Sequence, residues 1–216
     1  MKIVRFLRNE GVLETLKLIF ENLSGILGLK KRKTIFYRLD LNKVETYEPP
    51  DESYSIRLIR DFKEIKDLKI IGRLDKDYFR DKLNSGSVCA VHIDNGSIVA
   101  YSFIHFREHR LSSDLKLVFD ESAAWWGPLF IHKPYRGKKL SKIQLHFLAE
   151  YLGGKNIKYL FGSTNPDNYP MISVLLKNHW DIAGLVVIRK LFNRRLSLSK
   201  YEFHPDNLLS RYLEIT

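Results

Sequence analysis

A broken apolar run that leads into an amphipathic segment constrains the fold of this chain more than any other feature. Residues 123–131 are apolar but are interrupted by Gly127-Pro128, and after a short turn an apolar periodicity runs from 140 to 152. This pattern predicts a buried strand followed by a helix. A chain built around such a unit is expected to fold as an α/β domain with a mixed sheet.

The rest of the chain alternates between patterns typical of strands and patterns typical of helices. The predicted strands are 54–58, 88–93, 97–106, 123–131, 158–163, 180–191 and 196–203, and the predicted helices are 61–71, 75–83, 140–152 and 169–178. Asp94-Asn95-Gly96 predicts a hairpin turn between the second and third strands. With 44% hydrophobic and 28% charged residues, the composition is that of a globular protein, not a disordered one.

The N-terminal segment is basic and amphipathic. Residues 1–38 hold nine Lys and Arg and three Glu, in a chain whose 36 Lys and Arg and 25 Asp and Glu give a net charge of +11. Apolar residues at three- and four-residue spacing between 12 and 27 predict a helix, which the basic run 30–33 follows. Such a helix docks on an anionic membrane surface, or it packs on the protein or on a second copy in a homodimer; wide apolar stripes favour packing. Pro49-Pro50 separates this predicted extension, 1–50, from the main domain, 51–216.

Several classes of protein are disfavoured. The single cysteine, Cys89, cannot form an intramolecular disulfide or a cysteine-rich metal site. No apolar run approaches the ~18 residues of a spanning helix and no cleavable signal is recognisable, so a cytoplasmic location is expected, with 1–38 as a potential contact to the inner face of the membrane. Basic residues do not interleave with aromatic ones, and no nucleic-acid partner is expected.

The segment from His105 to His109 carries the letters H-x-x-E-H of an inverted zinc-peptidase motif. That motif works on a helix, where positions four apart lie one turn from each other. Here it follows the β-branched and aromatic run 99–104, and on a strand the two imidazoles would lie ~13 Å apart at ~3.3 Å per residue. No metal site is therefore predicted.

The start of the predicted helix at Leu140 has the composition of an anion site. Lys138 and Lys139 face the positive end of the helix dipole, which costs roughly 0.3–1 kcal/mol for each cation. A bound polyanion reverses this cost, because the first-turn amides, Gly137 and the flanking cations together can cradle a pyrophosphate. The alternative is a basic helix start that is simply solvated.

Two segments resemble motifs of the GNAT acyltransferases. Residues 136–141, R-G-K-K-L-S, are similar to the pyrophosphate loop R/Q-x-x-G-x-G/A, with Lys139 at the usual glycine and Ser141 at the usual glycine or alanine. The stretch from Asn165 to Trp180 is similar to the family's N…K-x-G-F pattern. The resemblance covers about 54–203 and implies a three-layer fold: a mixed, mostly antiparallel twisted sheet, splayed in the middle, with helices on both faces, here with an N-terminal amphipathic helical extension.

The resemblance implies an enzyme that transfers an acyl group from acetyl-CoA or another acyl-CoA, without a metal. The acceptor would be the primary amine of a small molecule, such as an amino sugar, which attacks the thioester directly in a ternary complex. The backbone of strand residues would bind the pantetheine arm, the loop would bind the pyrophosphate, and two asparagines would line the opposite side of the slot. The implied cofactor-binding residues are Phe130, Ile131, Arg136, Gly137, Lys138, Lys139, Leu140, Ser141, Asn165 and Asn168.

The catalytic groups are less well defined by the resemblance. The backbone amide of Ile131 is the implied oxyanion donor. His132, Glu121 and Asp120 end or flank the central strand and are candidate general bases.

The family's usual proton-donating tyrosine falls on Leu175, so Tyr169, Tyr135 or water would protonate the thiolate. Trp125, Trp126 and Tyr101, with Phe103, would wall the acceptor groove if their rings face it, although aromatic strand residues are more often core. The alternative functions are a catalytically silent acyl-CoA-binding member of the fold and a membrane-associated basic module.

Overall fold

A computed structural model describes residues 29–44, 56–72, 74–191, 194–204 and 208–215 of the chain. The chain divides into two compact units, the larger formed by Ile35–Gly184 with Glu202–Thr216 and the smaller by Met1–Thr34 with Leu185–Tyr201. The predicted boundary at residue 50 and the predicted helix between 12 and 27 lie outside the described residues, so both stay predictions. No helix within the described ranges is long and apolar enough to cross a membrane.

The described elements comprise twelve strands and four α-helices. The strands are β1 (Leu29–Asp40), β2 (Ile56–Ile59), β3 (Lys69–Ile70), β4 (Val88–Asp94), β5 (Ser97–His105), β6 (Glu108–Ser112), β7 (Leu115–Val118), β8 (Ala123–Ile131), β9 (Tyr159–Thr164), β10 (Asp181–Leu191), β11 (Arg194–Glu202) and β12 (Leu213–Ile215). The helices are α1 (Lys76–Asn84), α2 (Leu140–Gly153), α3 (Tyr169–Lys177) and α4 (Leu208–Tyr212).

The sheet of the larger unit has the strand order β1-β9-β8-β5-β4-β2, with β3 parallel to β5. Its long pairs are antiparallel, whereas β8 and β9 run parallel. In the described chain, the pairing of β8 with β9 ends at Trp125 and Phe161, so the sheet opens beyond these residues. The predicted mixed, mostly antiparallel sheet that splays in the middle is confirmed.

Apolar layers cover both faces of this sheet, because successive side chains of a strand point to opposite faces. On one face, Tyr101 and Phe103 of β5 pack with Phe79 of α1. On the other face, Ile104 and its neighbours pack against α2 and α3, where Leu148 is fully buried. Helices therefore flank the sheet on both sides, as the resemblance implied.

The helix predicted over 75–83 is confirmed as α1, and its caps explain why it could be recognised. The Asp75 side chain accepts a hydrogen bond from the Tyr78 amide at 2.9 Å, which satisfies one of the orphan donors of the first turn. The helix ends before Gly86, whose φ is +83°. Phe79 and Leu83, four residues apart, form its buried side.

The helix predicted over 61–71 is wrong. Asp61 and Glu64 form the expected capping box, but only the single 3-10 turn Phe62–Glu64 follows. Lys69–Ile70 instead pairs with Ser97–Ile98 at the start of β5, which β8 does not pair with, because these strand residues satisfy backbone groups that a short helix would leave open.

Five strands were not predicted from the sequence: β1, β3, β6, β7 and β12. Residues 29–40, predicted as part of the N-terminal extension 1–50, form β1; its Phe36, Tyr37 and Leu39 are fully buried. The basic run at the start of β1 concealed the strand pattern. The short strands β6 and β7, half of whose residues are polar, form a second antiparallel sheet in the order β12-β7-β6.

Candidate functional site

The site is organised around a break in β8. Ser102 and Ile104 of β5 pair with Leu129 and Trp126, so Gly127-Pro128 form a bulge that opposes a single residue of β5. Gly127 has a φ of +134° and a cis peptide bond to Pro128. The bulge lies where β8 separates from β9, so the Gly127-Pro128 interruption of the apolar run coincides with the opening of the sheet.

The backbone of β8 after the bulge offers hydrogen-bonding groups to the opening. The His132 amide donates to the Val99 carbonyl at 2.8 Å, and Ile131 lies opposite Ala100. In an antiparallel pair, hydrogen-bonded and non-hydrogen-bonded positions alternate. The amides of Ile131 and Leu129 therefore point away from β5 and into the opening, whereas the backbone of Phe130 pairs with β5.

A buried histidine holds the bulge from the β5 side. The His105 Nε2 donates to the Gly127 carbonyl at 2.8 Å, and its Nδ1 lies 2.7 Å from the Ser87 Oγ. Because a carbonyl only accepts, Nε2 carries the proton and Nδ1 accepts from the serine. Burial lowers the pKa of His105 to about 4, which keeps the ring neutral at pH 7.

His105 belongs to a stack of rings beside the opening. Its ring centroid lies 4.4 Å from that of His109, which in turn lies 5.1 Å from Trp125. The separation of ~13 Å expected from strand geometry is wrong, because the chain reverses at Arg107, with φ +62°, between β5 and β6. Among the described residues, no group of three or more His, Cys, Asp or Glu side chains is arranged to hold a metal ion.

The segment after β8 leads into the N-terminus of α2 through a 3-10 turn, Lys133–Tyr135. The Arg136 Nε donates to the Ile131 carbonyl at 3.1 Å and fixes the course of the loop. Gly137 has φ +81°, and a Cβ added there would meet no atom within 4 Å, so its backbone is open to a ligand. Lys139 precedes the helix in a left-handed conformation, φ +59°. It therefore adopts at the family's glycine position a backbone conformation that favours glycine.

Both backbone groups and side chains make the N-terminus of α2 electrostatically positive. The first amides of a helix have no intrahelical partner, and α2 is 14 residues long, long enough for an appreciable dipole. Arg136, Lys138 and Lys139 surround it with exposed side chains. The ammonium of Lys138 lies 5.1 Å from the ring centroid of Tyr135.

Two of the predicted proton-transfer residues lie near this loop, and others do not. His132 follows the open end of β8, with its ring 6.1 Å from that of Tyr135. The hydroxyl of Tyr135 donates to the Asp94 carboxylate. Glu121 precedes the closed end of β8, roughly 30 Å from Ile131 at ~3.3 Å per residue, so the structure does not bring it to the opening.

Asp120, next to Glu121, has a structural role. Its carboxylate accepts from Ser122 Oγ at 2.6 Å, from Tyr212 at 3.0 Å and from Arg211 at 2.6 Å. These hydrogen bonds, against the opposing effect of burial, lower the pKa of Asp120. The network joins the start of β8 to the C-terminal segment.

The other predicted wall of the slot follows β9. The side-chain oxygen of Asn168 caps α3 by accepting a hydrogen bond from the Met171 backbone amide at 3.4 Å. The backbone amide of Asn168 donates to the Asn165 backbone carbonyl at 3.0 Å. Tyr169 is 72% exposed, whereas Leu175, at the family's tyrosine position, is 1% exposed. Leu175 packs in the core with Trp126 and offers no proton.

The predicted acceptor-groove aromatics are all buried. Trp125, Trp126 and Tyr101 are 3%, 4% and 1% exposed. Trp126 stacks on Trp180 with 5.3 Å between centroids, and the Trp180 ring lies beside Gly162 of β9. Tyr101 stacks on Phe130 at 5.2 Å. The rings line the core beside the opening, and their contact with an acceptor stays a prediction.

Sequence reasoning missed the paired imidazoles and the backbone strain at His179. His179 stands at the glycine of the K-x-G-F pattern and has φ +60°. It is thus a second family glycine replaced by a residue that keeps the left-handed conformation. The signal was present, since Lys139 and His179 both stand at glycine positions of the family motifs.

Comparisons with known proteins agree with this geometry. A family model described as the Acetyltransferase (GNAT) family matches residues 51–180. A tandem GNAT protein from the clavulanic acid biosynthesis pathway is similar in structure, with a TM-score of 0.50 and 13% identity over 90% of this chain and 57% of that chain. An acetyltransferase from the GNAT family of Colwellia psychrerythraea gives a TM-score of 0.51 and 15% identity over 87% of this chain and 62% of that chain. At these identities the likeness shows the fold alone, and no curated protein sequence matches the chain.

Proposed function

Since the chain belongs to the acetyltransferase (GNAT) family, we propose that it transfers an acetyl group from acetyl-CoA to the primary amine of a small molecule. The observation that carries this proposal is the opening of the sheet at Gly127, from which β8 leads through the loop 132–139 to the positively charged start of α2. The chain spans 57% and 62% of the two similar proteins named above, so acceptor and partners are part of the proposal. An amino sugar is one acceptor that meets the description.

The loop before α2 fits a pyrophosphate. Gly137 leaves space for the backbone to approach a phosphate oxygen, and the amides of Leu140 and Ser141 lie in the first turn of the helix, where donors are unpaired. Arg136 and Lys138 add positive charge. When bound, acetyl-CoA supplies the thioester whose acyl group is transferred.

The strand edge fits an extended arm. The Leu129 and Ile131 amides face the opening, so an amide-containing chain laid along β8 can pair with it as an added strand. The Ile131 amide is also placed to stabilise negative charge on a carbonyl oxygen held there. Asn165 and Asn168 border the opposite side.

Proton transfer falls to residues at the open end of the strand. His132, adjacent to Ile131, is the proposed acceptor of the proton that the attacking amine loses. Because Leu175 is buried and apolar, the thiolate is protonated by the exposed Tyr169 or by water. The absence of a tyrosine at 175 is also the observation that favours the second candidate, a silent acyl-CoA-binding protein.

Titration with acetyl-CoA tests the proposal. Acetyl-CoA at about 100 times its dissociation constant should stabilise the fold by ~2.7 kcal/mol, seen as a higher melting temperature. Arg136→Ala should reduce this shift at the same concentration, whereas Arg57→Ala, an exposed arginine on β2, should leave it unchanged. No shift with any acyl-CoA would contradict both candidate functions.

Thiol release across a panel of small amines separates the two candidates. Release that requires an amine identifies the acetyltransferase, and His132→Ala should then lower kcat more than it changes the KM for acetyl-CoA. Stabilisation by acetyl-CoA without release for any amine in the panel identifies the silent binding protein.

A further inference from the structure

The two compact units differ in charge. The smaller unit, Met1–Thr34 with Leu185–Tyr201, has 13 Lys and Arg and three Glu, a net charge of +10. The larger unit has 23 Lys and Arg and 22 Asp and Glu, a net charge of +1. Nearly the whole excess of positive charge therefore belongs to one unit, which does not contain the loop before α2.

Within the described residues of the smaller unit, three neighbouring strand segments carry this charge. They are 29–34 of β1, 185–191 of β10 and 194–201 of β11, in the order β11-β10-β1, and we call them the basic sheet. They hold nine cations and, in these segments, no acidic residue; the cations are Lys30, Lys31, Arg32, Lys33, Arg189, Lys190, Arg194, Arg195 and Lys200. All but the half-buried Lys190 are exposed.

The basic sheet also exposes apolar side chains and adjoins an amphipathic sequence. Leu196 and Tyr201 of β11 are 56% and 48% exposed. The segment 12–27, whose apolar spacing predicts a helix, directly precedes β1 in the sequence. Basic residues next to an amphipathic segment are typical of proteins that bind anionic bilayers.

We propose that the basic sheet docks on an anionic lipid surface. Adjacent strand residues point to opposite faces, so Lys31 and Lys33 lie on one face and Lys30 and Arg32 on the other. If the ends of the strands enter a fluid layer of lipid headgroups, anionic headgroups can contact the cations on both faces of the basic sheet. The backbone of a nucleic-acid duplex would contact the cations of one face only. The net charge of +10 on each copy opposes association of two basic sheets with each other.

Vesicle sedimentation of the full chain tests the proposal. Phosphatidylcholine vesicles with about one third phosphatidylglycerol should bind the protein, and pure phosphatidylcholine vesicles should not. Binding should fall steeply between about 0.1 M and about 1 M salt, as the Debye length shrinks to ~3 Å. The variant K31Q/K33Q/R194Q/R195Q should lose binding by roughly fivefold per charge, several hundredfold in all.

A matched variant distinguishes a local effect from a change in net charge. K63Q/K66Q/K69Q/K158Q removes the same number of exposed cations from the larger unit and should bind vesicles as the unaltered chain does. Melting temperature and acetyl-CoA binding, measured on both variants, report on folding. Equal loss in both variants, or binding to uncharged vesicles at the same level, would overturn the proposal.

Two experimental results would assign the basic sheet to a partner other than a lipid surface. Salt-sensitive binding to a short DNA or RNA duplex, without binding to anionic vesicles, would make the partner a nucleic acid and overturn the lipid assignment. A doubled native mass that K31Q/K33Q/R194Q/R195Q returns to the monomer would assign the basic sheet to a homodimer and would equally overturn it. The outcome is independent of acyl transfer.

Discussion

At the scale of single residues, two side chains occupy backbone positions that suit glycine. Lys139 and His179 have φ +59° and +60°, and a left-handed conformation costs an L-residue roughly 1–2 kcal/mol. Both stand at glycines of the family motifs. The chain thus keeps the backbone shape of the motifs while departing from their letters.

Replacing Lys139 with glycine should therefore stabilise the protein. Glycine adopts the left-handed conformation without strain, which stabilises the folded state, but it also raises the conformational entropy of the unfolded chain. We expect a net gain of about 0.5–1 kcal/mol in the free energy of unfolding. Urea unfolding measures it. Glu150→Gly, at an exposed position inside α2, is the control and should cost about 1 kcal/mol. Destabilisation by both changes would show that strain at Lys139 is absent.

At the scale of elements, the break in β8 is the feature that positions the site. Gly127 places its carbonyl on His105 Nε2 at 2.8 Å and turns the following strand away from β9. Its φ of +134° is one that L side chains rarely adopt, although a Cβ would find only an ordinary 3.5 Å contact to Trp125. Backbone conformation, not space, requires glycine there.

Gly127→Ala should accordingly be destabilising through strain alone. We expect a loss of about 1–3 kcal/mol in the free energy of unfolding, together with weaker acetyl-CoA binding, because the strand edge shifts. Chemical denaturation and calorimetric titration measure the two effects. Gly153→Ala at the end of α2, where a Cβ has open space and φ is not positive, is the matched change; it should leave acetyl-CoA binding unchanged and raise the free energy of unfolding by about 0.4–1 kcal/mol. Equal behaviour of the two variants would contradict the argument.

Elements that neighbouring residues specify could be predicted from the sequence. Elements whose conformation depends on pairing with a strand distant in the sequence could not. Capping by Asp75, the hairpin turn at Gly96 and the periodicity of α2 are read from neighbouring residues. The run 61–71 has a helix-like start, but Lys69–Ile70 pairs with the start of β5. That pairing depends on backbone groups of β5 that β8 leaves available, and no residue near 69 in the sequence indicates it.

At the scale of the whole molecule, the buried His92 and His105 and the half-buried His109 link stability to pH. Burial lowers the pKa of His92 and His105 to about 4, and burial together with neighbouring positive charge lowers that of His109 to about 3. The unfolded chain then binds protons that the folded chain does not. Their contribution is complete above an unfolded pKa near 6.5 and is lost as the pH falls toward 4.

Stability should therefore decline from about pH 6.5 downward, by on the order of 2 kcal/mol at pH 5 for each of the nearly inaccessible His92 and His105. Urea unfolding across this range measures the slope. His109→Phe keeps a ring in the stack with His105 and Trp125 and removes one titrating group, so the slope should become shallower. An unchanged slope in this variant would contradict the assignment of His109.

The sequence by itself determined the family motif at 136–141, the strand that precedes it, the break at Gly127 and the helix that follows. These depend on short-range backbone preferences, which act between residues a few positions apart. Tertiary structure alone decided that His109 folds back onto His105, that β1 joins the sheet, and that the cations of 30–33 lie in the same sheet as those of 189–195. Strand pairing joins residues from opposite ends of the chain, and no local pattern specifies the partner.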